Sequence, residues 1–198
     1  MDVDGFLRDP HSRRRFFHMS GVSVAAGSAM FLAACGGDDT KSPGALGPDE
    51  SDAADVEILN SAVDLELMAV AAYKAGAARL QGDVLQVGKQ FLEHEQEHAD
   101  GLASAIKDAG GKPNRAKSAY DFPELKSQTD VLKFAVDLEN TAIAAYIDAL
   151  PKLGKGDLRA TAAAIVANEA EHVAVLLGVL GEQQVPHAFV VGSAVERT

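Results

Sequence analysis

Two short motifs hold most of the residues that could do chemistry: Glu95-Gln96-Glu97-His98 and Glu169-Ala170-Glu171-His172. On a helix, a Glu and a His three residues apart share one face. Each motif sits in an otherwise apolar stripe: Phe91, Glu95, His98, Leu102 and Ile106 in one, Ile165, Glu169, His172, Leu176 and Leu180 in the other. Two further stripes carry a single carboxylate each, Ala62-Glu66-Val70-Tyr73 and Ala135-Glu139-Ile143-Tyr146. Stripes of this spacing face a core, so four carboxylates and two imidazoles are expected inside. A buried unpaired carboxylate costs several kcal/mol or changes protonation state, and four together repel one another. Two divalent cations would balance four negative charges and would take the histidines as neutral ligands. A mixed carboxylate and imidazole set suits Fe or Mn.

The elements that must position these residues read as helices. An apolar period of helical type runs from about 52 to 181 in four segments, roughly 52–80, 84–109, 128–150 and 157–180. Asp83 and Asp157 are candidate N-caps for the second and fourth segments, and Gly110-Gly111 closes the second. The stretch 111–127, with Pro113 and Pro123 and no period, reads as a long crossover. Asp64 to Tyr73 aligns with Asp137 to Tyr146 at an offset of 73, with seven of ten positions identical, and the Glu-x-x-His motifs align at an offset of 74. The chain is therefore one helical hairpin written twice. Glu66 and Glu95 each lie about 20 Å from the first hairpin turn, at about 1.5 Å per residue. Glu139 and Glu169 straddle Gly154 in the same way. The expected fold is all-α, a four-helix bundle of two repeated hairpins joined by a long crossover, with its ligands at one height.

Composition and the N-terminus bound the rest. The 198 residues carry a net charge of -11 with an apolar share of 47%, which argues for a packed domain and against a nucleic-acid partner. Residues 1–34 read as a signal peptide. Arg13-Arg14 before Phe16-Phe17 resembles a twin-arginine export signal, and the apolar run Met19–Ala34 is too short to span a membrane. Leu32-Ala33-Ala34-Cys35 resembles a lipoprotein cleavage box, with Cys35, the lone cysteine, as the lipidation site. Removing residues 1–34 takes away four Arg and three Asp and moves the net charge from -11 to -12, so the acidity belongs to the exported part. Residues 35–51 read as a Gly/Pro/Asp-rich tether from lipid to domain, and 182–198 as an extended tail. The expected location is the outer face of a bacterial cell membrane or the periplasm, held through Cys35.

Residues 52–181 resemble the ferritin-like superfamily, which includes bacterioferritin, rubrerythrin and small ferritin-like domains of exported bacterial proteins. The resemblance implies a di-metal site of two Fe ions, with Mn as the alternative, held by Glu66, Glu95, His98, Glu139, Glu169 and His172. It implies oxygen or peroxide as co-substrate and ferroxidase-like oxidation of Fe(II), with a homodimer as the candidate assembly. Tyr73 and Tyr146 resemble tyrosines near the metals of rubrerythrin-like sites and are assigned to the reaction; their alternative is plain core packing. Two readings compete with the oxidase: a non-enzymatic stress, desiccation or surface-interaction protein with a structural or absent metal, and a manganese catalase-like activity. Where rubrerythrin has a further Glu, three residues after its third-helix ligand, position 142 is Ala, and no cysteine-rich electron-donor domain accompanies the bundle. A closed storage cage is not expected, for want of a clear fifth helix. His94, about 100° round the helix from Glu95, is read as a surface residue. Glu93, Glu97 and Glu171 are read as a solvated face, Asp64 and Asp137 as exposed rather than as partners of the histidines, and His187 as outside the site.

Overall fold

The computed structural model describes residues 48–192. The export signal at Arg13 and Arg14, the lipidation site Cys35 and most of the tether lie outside them. Four helices carry the fold: α1 (Pro48–Gly76), α2 (Gly82–Asp108), α3 (Gln128–Ala149) and α4 (Gly156–Leu180), with a 3-10 turn at Ala77–Arg79 between the first two. There is no strand among the described residues. The chain is an all-α four-helix bundle. Its helix α1 begins at Pro48, inside the stretch expected to be a tether. Proline fits a helix's first turn because the N–H it lacks would find no partner there.

Helix α1 packs chiefly on α2, and α3 on α4. Leu102 and Ile106, late in α2, share one apolar cluster with Ala142 and Tyr146, late in α3, and with Leu59 and Leu158, early in α1 and α4. Helices α2 and α3 therefore run the same way, and the chain between them must travel the bundle's length. Helix α2 has 27 residues, about 40 Å, a span that residues 109–127 cover when extended. Asn60 of α1 holds this crossover at two points. Its Nδ2 donates to Lys112 O (3.2 Å) and its Oδ1 accepts from Asn114 N–H (2.7 Å). Asn114 also donates to Asp64 (3.0 Å), which accounts for that half-buried carboxylate without the metal site. Tyr120, Phe122 and Phe134 pack the far end of the crossover onto α3.

The helix ends differ in part from expectation. Neither Asp83 nor Asp157 is the N-cap: Gln81 and Lys155 hold those positions without a side-chain bond. Both acids fall in the first turn instead, where a carboxylate meets the positive end of the helix dipole. Gly82, at φ +54°, takes a left-handed turn into α2, which starts the helix one residue before Asp83. Helix α3 has the complete cap, with Ser127 accepting from Asp130 N–H and Asp130 accepting from Ser127 N–H. Gly181 ends α4 at φ +75°, with Glu182 N–H returning to Leu177 O, a Schellman closure.

A second cluster, Tyr73, Phe91, Leu132, Ala135, Val136, Leu176 and Leu177, fills the other half of the bundle. The polar layer lies between these two apolar layers. Residues 182–192, the last described, have no regular structure and lie against α3 and α4, lining with them an open groove of about 270 Å³. Its His187 is exposed, away from the polar layer, as expected.

Candidate metal centre

Each helix delivers its polar residues to the same level. Glu66, Glu95, Glu139, Glu169 and His172 are at most 1% exposed, and His98 is 13% exposed. They form two overlapping groups, each able to offer ligand atoms within 4.8 Å of one another: Glu66, Glu95, His98 and Glu169, and Glu95, Glu139, Glu169 and His172. Glu95 and Glu169, from the two Glu-x-x-His motifs, belong to both. Each lone Glu belongs to one group, with one His. The duplicated hairpin thus produces two half-sites that share a central pair of carboxylates.

Both imidazoles turn Nδ1 inward. His98 Nδ1 lies 3.1 Å from Glu169, 3.6 Å from Glu66 and 3.8 Å from Glu95. His172 Nδ1 lies 3.1 Å from Glu169, 3.2 Å from Glu95 and 3.5 Å from Glu139. These are ion-pair distances without hydrogen-bond alignment: Glu95 Oε1, Glu139 Oε2, both Glu169 oxygens and both Nδ1 atoms are buried with no hydrogen-bond partner. Buried polar atoms are nearly always paired. Six orphans converging on one small volume, all hard oxygen or imidazole nitrogen, are the donor set a pair of first-row divalent cations would satisfy.

The outer lone pairs are accounted for. Tyr73 of α1 donates its hydroxyl hydrogen to Glu139 of α3, and Tyr146 of α3 donates to Glu66 of α1. The two bonds are repeat-related and cross the core in opposite senses. They hold each lone carboxylate in place by one oxygen, which is the service an outer partner gives a metal ligand. Burial and the neighbouring carboxylates push both phenols well above their ordinary range, so they stay protonated donors.

The electrostatics show what the cluster does when protons alone neutralise it. Burial raises Glu139 far above the carboxylate range and Glu66 to about 8, the latter against a lowering contact from His98. Glu95 and Glu169 also feel burial, but their contacts with both histidines outweigh it and hold them low, Glu169 at about 2. Burial would push the histidines down, yet the surrounding carboxylates lift His98 to about 12 and His172 to about 11. These shifts favour negative central carboxylates, protonated outer ones and cationic imidazoles. Metal binding would displace the protons these shifts favour.

His94 departs from expectation. It is half-buried rather than a surface residue, and its Nδ1 lies 2.9 Å from His172 Nε2. A residue 100° off the core direction sits on the helix flank, and in a bundle the flank faces a neighbouring helix, here α4. Asp55 was also missed. It is 1% exposed and accepts from Gly154 N–H at 2.7 Å, tying the start of α1 to the α3–α4 turn. Its signal was present, since 55, 59, 62 and 66 continue the Glu66 stripe. Glu93, Glu97, Glu171 and Asp137 are exposed, as expected.

Comparison with known protein families matches residues 54–182, more than half of the chain, to the ferritin-like domain. The chain belongs to the ferritin-like family. No similar sequence was found among curated proteins. Several solved structures share the fold. A dodecameric thioferritin, the bacterioferritin-related protein of Bacteroides fragilis, is 26% identical over 66% of this chain and 86% of its own, with a TM-score of 0.59. Ferritin-like diiron-carboxylate proteins of Bacillus anthracis are 25% identical over 66% of this chain and 97% of theirs, with a TM-score of 0.58. The bacterioferritin of Desulfovibrio desulfuricans, whose diiron site is known in several catalytic states, is 21% identical over 78% of this chain and 99% of its own, with a TM-score of 0.62. At that identity the likeness is one of fold. This ferritin-like chain thus joins the family's bundle to a carboxylate and histidine cluster that could hold metal.

Proposed function

We propose that this ferritin-like protein is exported, anchored by lipid on Cys35, and binds two iron ions with which it oxidises Fe(II) by oxygen or peroxide. The observation that carries the proposal is the convergence of six ligand side chains from four helices, with six of their buried polar atoms left without a hydrogen-bond partner. Glu66 and His98 would hold one ion and Glu139 and His172 the other, with Glu95 and Glu169 between them. A bound iron pair would supply one-electron redox chemistry at two adjacent centres. The chain's own part is to exclude bulk water, to balance the charge and, through Tyr73 and Tyr146, to fix the outer carboxylates. The partly exposed edge at His98 is where a small oxidant would reach the layer. The diiron-carboxylate relatives support the metal, and the Arg13-Arg14 and Leu-Ala-Ala-Cys35 motifs support the address.

The test is to load the protein with Fe(II) without oxygen, admit air and follow the near-ultraviolet absorbance. Two irons per chain and a rise abolished by Glu95→Ala with Glu169→Ala are expected. At most one iron per chain, with no effect of the double substitution, would end the oxidase reading. The near-complete burial of the ligands also suits a resident metal that only holds the bundle together. A large metal-dependent rise in melting temperature with no oxidation on adding air would favour that reading. For the address, Arg13→Lys with Arg14→Lys should leave an unprocessed precursor inside the cell, and Cys35→Ser should abolish lipid labelling. Normal processing and labelling would refute it.

A further inference from the structure

The repeat makes the two half-sites equivalent in ligands but not in what stands behind them. His172 lies in a closed setting. Phe91 lies over its ring, with centroids 3.9 Å apart and planes 26° from parallel. His94 meets its outer nitrogen at 2.9 Å. The His94 and His172 ring centres are 5.2 Å apart and the planes differ by 13°. A nitrogen–nitrogen distance so much shorter than the centre separation means that the rings meet edge to edge, along a hydrogen bond, rather than face to face. When His172 Nδ1 ligates a cation the ring hydrogen must sit on Nε2, which at this distance would donate to His94 Nδ1. That bond selects one tautomer and one ring orientation.

The other half-site has no such support. The repeat counterparts of Phe91 and His94 are Ile165 and Asn168, and Asn168 turns its amide to Glu171 on its own helix (3.4 Å). His98 also keeps 13% of its surface exposed.

We propose that His94 is a positioning residue for His172, and that it makes the Glu139–His172 half the tighter of two unequal metal sites. The inference rests on the two-metal reading above. An imidazole already held in its ligating orientation by a bond to its outer nitrogen loses little freedom on binding a cation, whereas His98, more exposed and without a counterpart of His94, is held less firmly. The Glu139–His172 half therefore fills first and releases its metal last.

The test is an anaerobic Co(II) titration of the full chain, followed by visible absorbance against a competing chelator. The wild type should bind two Co(II) in two resolved steps. In His94→Ala the tighter step should weaken 10–100-fold, roughly the effect of losing an outer partner of a metal ligand, while the weaker step stays put. His94→Asn, whose amide oxygen can accept where Nδ1 did, should recover most of the loss, and Asn168→Ala should change neither step. Two steps that move together or not at all in His94→Ala, or no recovery in His94→Asn with an unchanged melt, would overturn the inference and leave the two-metal reading standing. Fewer than two Co(II) in the wild type would remove both.

Discussion

At the residue scale the polar layer is a balance of charge and hydrogen bonds in a dry interior. The tyrosines offer a direct probe. Tyr146→Phe removes the donor to Glu66 and leaves a buried acceptor unpaired, so the metal-free protein should lose about 1–3 kcal/mol in urea denaturation. An unchanged midpoint would mean that the bond contributes nothing. Ligands take metal only when deprotonated, so loading should weaken as the pH falls, and each cation taken up should acidify a weakly buffered solution. Uptake without acidification would contradict that exchange of protons for metal. Most of these residues were legible in the sequence because the repeat wrote the pattern twice: a Glu on a helical stripe is ambiguous alone, but not when it recurs with its Tyr seven residues later. His94 was not legible, because it is unrepeated and because helical periodicity alone does not separate a flank facing solvent from a flank facing another helix.

At the element scale, each helix must keep its register against the next for six side chains to meet. The crossover sets one such register through Asn60. Asn60→Ala removes both of its bonds to residues 112–114, so amide exchange should rise locally over residues 111–117, with a smaller change in global melting. A purely global effect would argue against a separable clamp. Helix α3 depends on its cap. Ser127→Ala should cost about 0.5–2 kcal/mol. The bonds from Ser127 and the backbone N–H of Ser127 and Lys126 hold the Asp130 carboxyl below its ordinary value. A depressed acid stabilises above its unfolded pKa, and the contribution is lost as the pH falls through its folded pKa. The Ser127→Ala deficit should therefore shrink in acid, and a deficit independent of pH would point elsewhere. The sequence showed the helices and the crossover, since period and proline are local signals. It misplaced two caps and the start of α1, since helix ends depend on a few backbone angles that a left-handed glycine such as Gly82 decides.

At the scale of the whole molecule, two apolar layers enclose a layer that carries four acids, and metal bound in that layer would tie the four helices together. Divalent metal at about 100 times its dissociation constant should add about 2.7 kcal/mol to stability for a single site. The gain should vanish in Glu95→Gln with Glu169→Gln, because both half-sites share these residues. A gain that survives the double substitution would place the metal elsewhere. The fold class was legible at this scale because two short-looped hairpins and one long connection admit few packings. The inequality of the halves was not, because it comes from contacts between helices far apart in the chain. The most direct test of the central claim, that a pair of cations neutralises this quartet, is an anomalous-scattering map of crystals grown with Fe(II) or Mn(II). Two peaks are expected in the polar layer, one beside Glu66 and His98, the other beside Glu139 and His172, with Glu95 and Glu169 between them. No peak there, or a single peak outside the layer, would contradict it.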